Sequence, residues 1–212
     1  MTRRVDVRAT YDRIAAHFGA TRPEPWPEVR SFLEGRTGRL GLDLGSGNGR
    51  HAELLVERTD RVLAGDLSRA TLAVAGERAA ERGYTIDRLQ LDAAGLPIAD
   101  GAVDLAVYVA TIHHLPRREL RVASLDELAR VLAPGGAALV SAWSVSHESF
   151  DAEAGFDTTV DWTLPDGETV PRFYHIYDLG EFEVDIRESA LSVTAVYESA
   201  GNCYAAVTGA GA

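Results

Sequence analysis

A seven-residue segment, "PRFYHIY" at residues 171–177, places one cation and one imidazole among aromatic side chains. The aromatic residues favour a strand, but they do not account for Arg172 and His175. A charged group is costly to bury in apolar surroundings unless it is paired, so Arg172 needs an anionic partner. Arg172 is therefore a candidate for binding an anion.

A second group of candidate residues lies in the glycine-rich segment "LDLGSGNGR" at residues 42–50. Gly45, Gly47 and Gly49 allow the backbone to turn sharply and to approach a ligand closely. Asp43 stands two residues before the first glycine, where a carboxylate disfavours phosphate and favours a cation. The G-x-G-x-G spacing also departs from the dinucleotide fingerprint G-x-G-x-x-G. The segment therefore predicts a ligand-binding loop and disfavours an NAD-dependent oxidoreductase.

Two further carboxylates end the predicted second and third strands. At the first of these positions Asp66 could accept hydrogen bonds from both hydroxyls of a ribose, and at the second Asp92 could accept one from an adenine amino group. Each aspartate by itself could simply cap a strand. Because open α/β sheets bind ligands at the carboxyl ends of their strands, we expect Asp43, Asp66 and Asp92 to surround one ligand.

The elements that position these residues alternate between strands and helices. Strands are predicted at residues 39–44, 61–66, 87–92, 102–110 and 137–143, and the helices between them at about 48–58, 69–82 and 119–132. This alternation is typical of an open, doubly wound parallel sheet. Two further predicted strands flank a tight turn at Ala200 and Gly201, so they must be antiparallel. The predicted fold class is α/β, with a Rossmann-like, doubly wound, seven-stranded sheet that ends in an antiparallel hairpin.

The charge balance of the chain is strongly acidic. Asp and Glu number 32 against 21 basic residues, all of which are arginine, and the net charge is −11. An acidic surface without lysine fits a protein adapted to molar salt, where excess carboxylates keep it soluble. A drift from lysine to arginine in a GC-rich genome is the alternative, but it does not by itself explain the net charge. We therefore favour an origin in a halophilic archaeon.

The sequence also bounds the location and chemistry of the protein. It has no run of about 18 apolar residues and no apolar segment near its start, so we expect a cytoplasmic protein without membrane contact. Cys203 is the single cysteine, which excludes an internal disulfide, and we predict no metal site.

The glycine loop, the three aspartates and "LAPGG" at residues 132–136 together resemble the class I S-adenosylmethionine-dependent methyltransferases. The sheet of that family likewise ends in an antiparallel hairpin, and the resemblance covers nearly all of residues 38–208. It implies S-adenosyl-L-methionine as the cofactor. The positions that it assigns to cofactor binding are Asp43, Gly45, Gly47, Gly49, Asp66, Leu67, Asp92 and Ala93.

Four stretches resemble a narrower family, the tRNA wobble-uridine methyltransferases that methyl-esterify 5-carboxymethyluridine. They are "YDRIAAHFGATRPEPWPEVRSFL", "VATIHHLPRRELRVASLDELARVLAPGG", "PRFYHIY" and "AGNCYA". The resemblance implies that the protein binds the anticodon loop of tRNA. It also implies a heterodimer with the small zinc-binding activator subunit that translation-related methyltransferases share.

In the reaction that this resemblance implies, a carboxylate oxygen attacks a sulfonium methyl group. A carboxylate with a pKa near ~4 is already ionised at neutral pH, so the site must hold it and aim it. Arginine pairs bidentately with carboxylates, which makes Arg22 and Arg172 the candidate clamp. The other candidates orient the substrate or stack on a flipped wobble base; they are His113 and His175 as catalytic positions, and Trp26, His114 and Tyr174 as substrate-binding positions.

Other interpretations stay open for some residues and for the whole chain. Trp26 is about as well explained as a packing lid over the sheet, and His114 as a hydrogen-bond partner of the loop backbone. The alternative function is a methyltransferase for a small metabolite, such as a carboxylic acid or a quinone precursor. A catalytically silent scaffold is disfavoured, because Asp43, Asp66 and the glycines are intact.

We predict one methyltransferase domain, residues 1–212, in four parts. Residues 1–37 are an N-terminal helical lid segment, and residues 38–143 are the cofactor-binding core. Residues 144–180 are a substrate-side insertion, in which residues 144–171 lack a clear period and are predicted to form a loop. Residues 181–212 are the C-terminal hairpin.

Overall fold

The computed structural model describes residues 4–209, with side chains described from residue 7 onward. Residues 1–3 of the lid segment and residues 210–212 of the C-terminal hairpin lie outside the described residues. The helices are α1 (Arg4–Thr21), α2 (Pro27–Leu33), α3 (Ala52–Val56), α4 (Arg69–Arg82), α5 (Arg118–Val131) and α6 (Leu179–Glu188). The strands are β1 (Gly38–Leu44), β2 (Thr59–Asp66), β3 (Asp87–Gln90), β4 (Val103–Val109), β5 (Leu132–Trp143), β6 (Phe156–Thr163), β7 (Thr169–Ile176), β8 (Ser192–Ser199) and β9 (Asn202–Thr208).

Seven strands form one mixed sheet in the order β3-β2-β1-β4-β5-β9-β8. The first five are parallel, and β9 runs antiparallel to both β5 and β8. The prediction of an α/β fold with a seven-stranded sheet and a C-terminal antiparallel hairpin is confirmed. The chain order reverses between β1 and β4, so the predicted ligand-binding edge lies at the carboxyl ends of these strands.

Both faces of the sheet are covered by helices. Along β4, Ala106 and Tyr108 belong to the apolar cluster that also holds residues of α5 and α6, whereas Leu105 and Val107 belong to the cluster with residues of α2 and α3. Successive side chains of a strand point to opposite faces, so a strand buried on both sides must be apolar throughout. None of the helices within residues 4–209 is long and apolar enough to cross a membrane.

The segment between α5 and the next strand, which was predicted to be a turn, belongs to an irregular stretch of the strand itself. β5 begins at Leu132, directly after α5, and contains the segment 134–136 that was expected to separate helix and strand. The register between β4 and β5 shifts at this point. A Cβ atom on Gly136 would lie 2.8 Å from the carbonyl oxygen of Val103, so the close approach of the two strands requires glycine there.

The prediction of a loop over residues 144–171 is wrong in its second half. β6 and β7 pair antiparallel as a separate two-stranded sheet, with Val160 opposite Arg172 and Thr158 opposite Tyr174. Side chains of β6 alternate between half-buried and exposed up to the buried Trp162. The alternation is real, but threonine and aspartate occupy much of it, so apolar residues alone do not reveal the period.

α6 is a second element that the sequence analysis missed. Asp178 caps it, because its carboxylate accepts a hydrogen bond from the backbone N–H of Glu181 at 2.9 Å. Phe182 and Ile186, four residues apart, are fully buried against the sheet. The helix joins the β6–β7 hairpin to the C-terminal strands.

α1 and the β6–β7 hairpin pack together beside the carboxyl edge of the sheet. Ile14 of α1 is fully buried in one cluster with Trp162 and Val170 of the hairpin. On the other side, Asp12 accepts hydrogen bonds from the hydroxyl of Ser68 at 2.6 Å and from the N–H of Ala70 at 3.2 Å. α1 therefore connects the hairpin to the start of α4.

Candidate active site

The glycine loop between β1 and α3 is held against the end of β2. The N–H groups of Gly45 and Ser46 donate to the carbonyl of Gly65, at 2.7 and 3.0 Å. Gly45 has a φ of +74°, and a Cβ atom there would lie 2.1 Å from the hydroxyl oxygen of Thr111, so only glycine fits. The loop therefore presents bare backbone at the carboxyl end of β1.

A first cavity opens beside this loop and is partly covered by α1. It is lined by six of the eight positions assigned to cofactor binding, namely Gly45, Gly47, Asp66, Leu67, Asp92 and Ala93. Leu91 and Leu115 add an apolar wall that suits an adenine ring, and Tyr11 and Phe18 approach from α1. Carboxylates beside an apolar wall fit the adenosine part of S-adenosylmethionine.

Asp43 and Gly49 lie behind the loop rather than in the cavity. The carboxylate of Asp43 is 1 % exposed and accepts a hydrogen bond from the N–H of Ala52 at 2.9 Å. Gly49 faces α4, where an added Cβ would lie 3.1 Å from the Cβ of Ala75. Burial raises the pKa of Asp43 to about 7, with the charge of Asp66 adding to the effect. These two residues shape the loop from its rear.

Asp66 and Asp92 line the first cavity, and backbone hydrogen bonds hold both carboxylates. Asp66 accepts from the N–H of Gly47 at 2.8 Å through one oxygen and from the N–H of Ser68 at 2.9 Å through the other. Each carboxylate oxygen has two acceptor sites, so both can still accept from a ribose hydroxyl. Asp92 accepts from the N–H of Ala94 at 3.0 Å. Burial raises the pKa of Asp66 above its usual value.

A second cavity adjoins the first, and Tyr11, Phe18, Arg50, Ala110 and His114 line both. Of the seven positions assigned to the substrate or to catalysis, six line it, namely Arg22, Trp26, His113, His114, Arg172 and Tyr174. The structure thus brings together residues that are up to 152 positions apart in the sequence, from Arg22 to Tyr174. The two cavities meet beside the carboxyl ends of β1 and β4.

Arg172 is a buried cation without a carboxylate partner among the described side chains. The residue is 8 % exposed, and its Nη1 donates to the hydroxyl of Tyr174 at 2.6 Å. Its Nε–H is buried and has no hydrogen-bond partner. A buried donor that stays unsatisfied costs about 1–3 kcal/mol, and more when it is charged. Arg172 also lines the second cavity, so its charge can attract an anion that binds there.

Trp162, which the sequence analysis missed, lies next to both clamp arginines. The guanidinium carbons of Arg22 and Arg172 lie 5.2 and 4.9 Å from the centre of its ring. Its Nε1–H donates to Nδ1 of His17 on α1 at 3.1 Å, and Phe18 packs against it at 5.5 Å. An indole face attracts cations, so Trp162 holds the two arginines near one point.

The two adjacent histidines have different free atoms. Nδ1 of His113 accepts from the N–H of Trp143 at 2.9 Å, so the neutral ring carries its proton on Nε2. Burial lowers the pKa of His113 well below its usual value, with His114 and Arg172 adding to the effect. His114 is saturated, because Nδ1–H donates to the carbonyl of Phe173 at 2.9 Å and Nε2 accepts from the hydroxyl of Tyr11 at 2.7 Å. His113 is therefore the one of this pair that can donate to a substrate.

His175 lies outside both cavities, unlike the other six positions assigned to the substrate or to catalysis. Its ring lies between two carboxylates, with Nδ1 at 2.7 Å from Asp157 and Nε2 at 2.9 Å from Glu181. The reason is the two-residue period of β7, which places Arg172 and Tyr174 on one face of the hairpin and His175 on the other. Because side chains alternate along a strand, the odd-numbered position 175 could have been assigned from the sequence to the face opposite to positions 172 and 174.

Arg50 is a third arginine at the second cavity and was also missed. It directly follows Gly49 in the glycine loop, and its guanidinium carbon lies 5.2 Å from the ring centre of Trp26. Together with Arg22 and Arg172 it gives the second cavity three cations against one carboxylate, Glu28. An acidic protein thus builds a positively charged cavity.

Comparison with known proteins agrees with this geometry. Residues 42–140 match the family model described as a methyltransferase domain. The chain is 35 % identical over 143 residues to the mouse tRNA (carboxymethyluridine(34)-5-O)-methyltransferase ALKBH8. The aligned region covers 67 % of this chain and 20 % of the mouse protein. It is 32 % identical over 171 residues to the Saccharomyces cerevisiae tRNA (carboxymethyluridine(34)-5-O)-methyltransferase, covering 78 % and 59 %. The chain thus spans about a fifth of the mouse relative.

The fold has close structural counterparts as well. A chain in the complex between the Haloferax volcanii Trm112 methyltransferase activator and a methyltransferase superposes with a TM-score of 0.70, covering 96 % of this chain and 97 % of that one at 18 % identity. At this identity the likeness concerns the fold. The chain therefore carries a methyltransferase domain of the class I fold, an enzyme domain whose cofactor is S-adenosylmethionine.

Proposed function

We propose that this protein methyl-esterifies the carboxylate of 5-carboxymethyluridine at the wobble position of tRNA. The observation that carries the proposal is Arg172, a buried guanidinium that lines the second cavity and has no carboxylate partner among the described side chains. The names of the mouse and yeast relatives support the same substrate. The proposal explains why an acidic chain retains a cationic cavity.

The residues of the second cavity can hold a carboxylate without deprotonating it. When bound, the cofactor supplies an electrophilic methyl group, to which a carboxylate oxygen bonds as the sulfur–methyl bond breaks. Arg172 and Arg22 clamp the carboxylate, and Nε2–H of His113 can donate to one of its oxygens. No general base is needed, since a carboxylate is ionised at neutral pH. The neutral state of His113 suits a hydrogen-bond donor of fixed orientation.

Aromatic side chains of the same cavity can accommodate the uracil ring. Tyr174 lies 4.8 Å from His113 and 5.1 Å from Trp143 between ring centres, so one wall is almost wholly aromatic. Trp26 forms part of the opposite region beside Arg50. Stacking on aromatic rings stabilises an unstacked base by about 1–3 kcal/mol. Such walls also exclude water from the reacting atoms.

We further propose a heterodimer with the small zinc-binding activator subunit. β3 is an edge strand, since only β2 pairs with it, and edge strands are templates for pairing with another chain. Ile86 and Leu89, which pack against the apolar clusters on opposite faces of the sheet, are only half-buried near this edge. The likeness to a chain from an activator complex supports the proposal. A cytoplasmic location and adaptation to molar salt belong to the same proposal.

Methyl transfer with labelled cofactor tests this function. The protein, with and without the activator, is incubated in molar potassium chloride with methyl-labelled S-adenosylmethionine and tRNA carrying carboxymethyluridine. We expect label in tRNA that mild alkali releases as methanol, because an ester hydrolyses and a base or ribose methyl group does not. Arg172→Gln serves as the inactive control. Alkali-stable label, or label only in small carboxylic acids, would refute the proposal.

A further inference from the structure

Arg50 has a charge that the proposed carboxylate clamp does not use. Arg22 and Arg172 lie against Trp162, whereas Arg50 lies against Trp26. Among the described side chains, Arg50 forms no ion pair or hydrogen bond with a carboxylate. A single carboxylate is satisfied by one or two guanidinium groups, so a third cation at the same cavity calls for a second anion.

The carboxylates near Arg50 are engaged elsewhere. Glu28, which also lines the second cavity, accepts a hydrogen bond from the hydroxyl of Ser199 at 2.6 Å. Asp43 is buried beneath the loop and bonded to Ala52. Burial lowers the pKa of Arg50 to about 10, with repulsion from Arg22 adding to the effect. The guanidinium therefore remains charged at neutral pH but is incompletely compensated.

The position of the guanidinium indicates which cavity it serves. Arg50 lines both cavities, but Trp26 lines only the second, and so do Arg22 and Tyr204. Arg22 and Tyr204 are also among the groups whose charges act on Arg50. The head of the side chain thus lies toward the substrate rather than toward the adenosine part of the cofactor.

We propose that Arg50 binds a phosphodiester of the substrate strand, next to the nucleoside whose carboxylate the clamp holds. This inference rests on the proposed function and extends it, since it makes the ligand a nucleotide within a strand rather than a free nucleoside or metabolite. A guanidinium fork matches the oxygens of a phosphate, and stacking on Trp26 fixes the plane of that fork. The second cavity then binds two anions, the carboxylate beside Trp162 and the phosphate beside Trp26.

Neutral substitution of single phosphates tests the inference. The substrate is an anticodon stem-loop with carboxymethyluridine, in which the linkage on the 5′ or the 3′ side of that nucleoside is replaced by an uncharged methylphosphonate. For the wild-type protein we expect one of the two replacements to raise the Kd about 10- to 100-fold. Arg50→Gln should raise the Kd of the native oligonucleotide by a similar factor and remove the further effect of the replacement.

Arg36→Gln is the matched control. Its guanidinium also stacks on an aromatic ring, at 4.6 Å from the centre of Phe32, but it lies outside both cavities. We expect the control to bind all oligonucleotides as the wild type does. A methylphosphonate effect of equal size in wild type and Arg50→Gln, or none in either, would overturn the inference.

Two further readouts separate this inference from the proposed function. Calorimetric binding of S-adenosylhomocysteine should be the same for Arg50→Gln and the wild type; a loss of at least 10-fold would instead assign Arg50 to the methionine carboxylate and overturn the inference. Ester formation by the wild type on the native oligonucleotide tests the proposed function and does not test the phosphate site. An oligonucleotide that binds with the predicted Kd pattern but is not esterified would refute the function and support the phosphate site.

Discussion

Arg172→Met separates the binding role of this arginine from its contribution to folding. Arg172 donates a hydrogen bond to the hydroxyl of Tyr174, and no described carboxylate offsets its charge. Methionine fills similar space without the buried charge, so we expect the free energy of unfolding to change by no more than about 1 kcal/mol. Loss of the charged hydrogen bonds to the substrate should cost about 3–4 kcal/mol, a roughly 150- to 900-fold loss in kcat/KM.

Arg121→Met is the matched control, because Arg121 is also buried and also stacks on a tyrosine. It is 4 % exposed and lies 5.3 Å from the ring centre of Tyr177, but its nitrogens lie 3.4 Å from Glu181 and 3.7 Å from Asp185. Removing Arg121 takes a neighbouring cation away from the buried carboxylate of Asp185. We expect a loss of about 2–3 kcal/mol in stability, or roughly 4–12 °C in Tm, with unchanged kcat/KM below the transition.

The two variants should therefore show opposite patterns. Tm is measured by differential scanning calorimetry without ligand, and kcat/KM by transfer of labelled methyl groups to tRNA, with S-adenosylhomocysteine binding as a check on the first cavity. If Arg172→Met unfolds as easily as Arg121→Met, the residue is a structural cation and the clamp is wrong. If Arg172→Met keeps normal turnover, the clamp is wrong as well.

The other predictions concern the cofactor site and the support of the clamp. Asp66→Ala should weaken binding of S-adenosylhomocysteine roughly 100-fold, because two hydrogen bonds to a charged group are lost, while calorimetry still shows a cooperative unfolding transition. The pKa of Asp43 is raised to about 7, so its charged form, which favours a cation, grows as pH rises through 7. The affinity ratio of S-adenosylmethionine to S-adenosylhomocysteine should therefore rise from pH 6 to 8 and become flat in Asp43→Asn. Trp162→Leu should raise KM for tRNA about 5- to 30-fold, because the contacts of the indole ring with Arg22 and Arg172 are lost. Trp162→Phe keeps an aromatic face, so its KM should lie close to that of the wild type.

The parts of the fold that local sequence determines were predicted well. α4 was predicted at residues 69–82 and spans Arg69–Arg82; the hydroxyl of Ser68 caps it by accepting from the N–H of Thr71 at 3.1 Å, and Gly83 ends it in a left-handed conformation. The parallel strands are continuous apolar runs between turn residues. The β6–β7 hairpin was missed because its exposed face is acidic and its inner face is mixed, so the period of two is hidden by residue type.

The candidate site was predictable in its residue types and less so in its geometry. Arg172 stood out because a cation in an apolar segment needs a partner, and that reasoning uses only neighbouring residues. Trp162 could not be assigned in the same way, because its partners Arg22 and Arg172 come from two distant segments that meet only in the folded chain. His175 was misplaced because the two-residue alternation of β7, which puts position 175 on the face opposite to positions 172 and 174, was not applied to this segment.

The contacts of α1 also link the two cavities to each other. The helix covers the first cavity through Tyr11, and the same hydroxyl holds His114, while His17 holds Trp162 beneath the clamp arginines. A displacement of α1 from the first cavity would therefore remove support from the residues that we propose to hold the carboxylate. Such linkage is reciprocal, so we expect a bound cofactor to tighten binding of the proposed RNA substrate by the same factor as that substrate tightens binding of the cofactor.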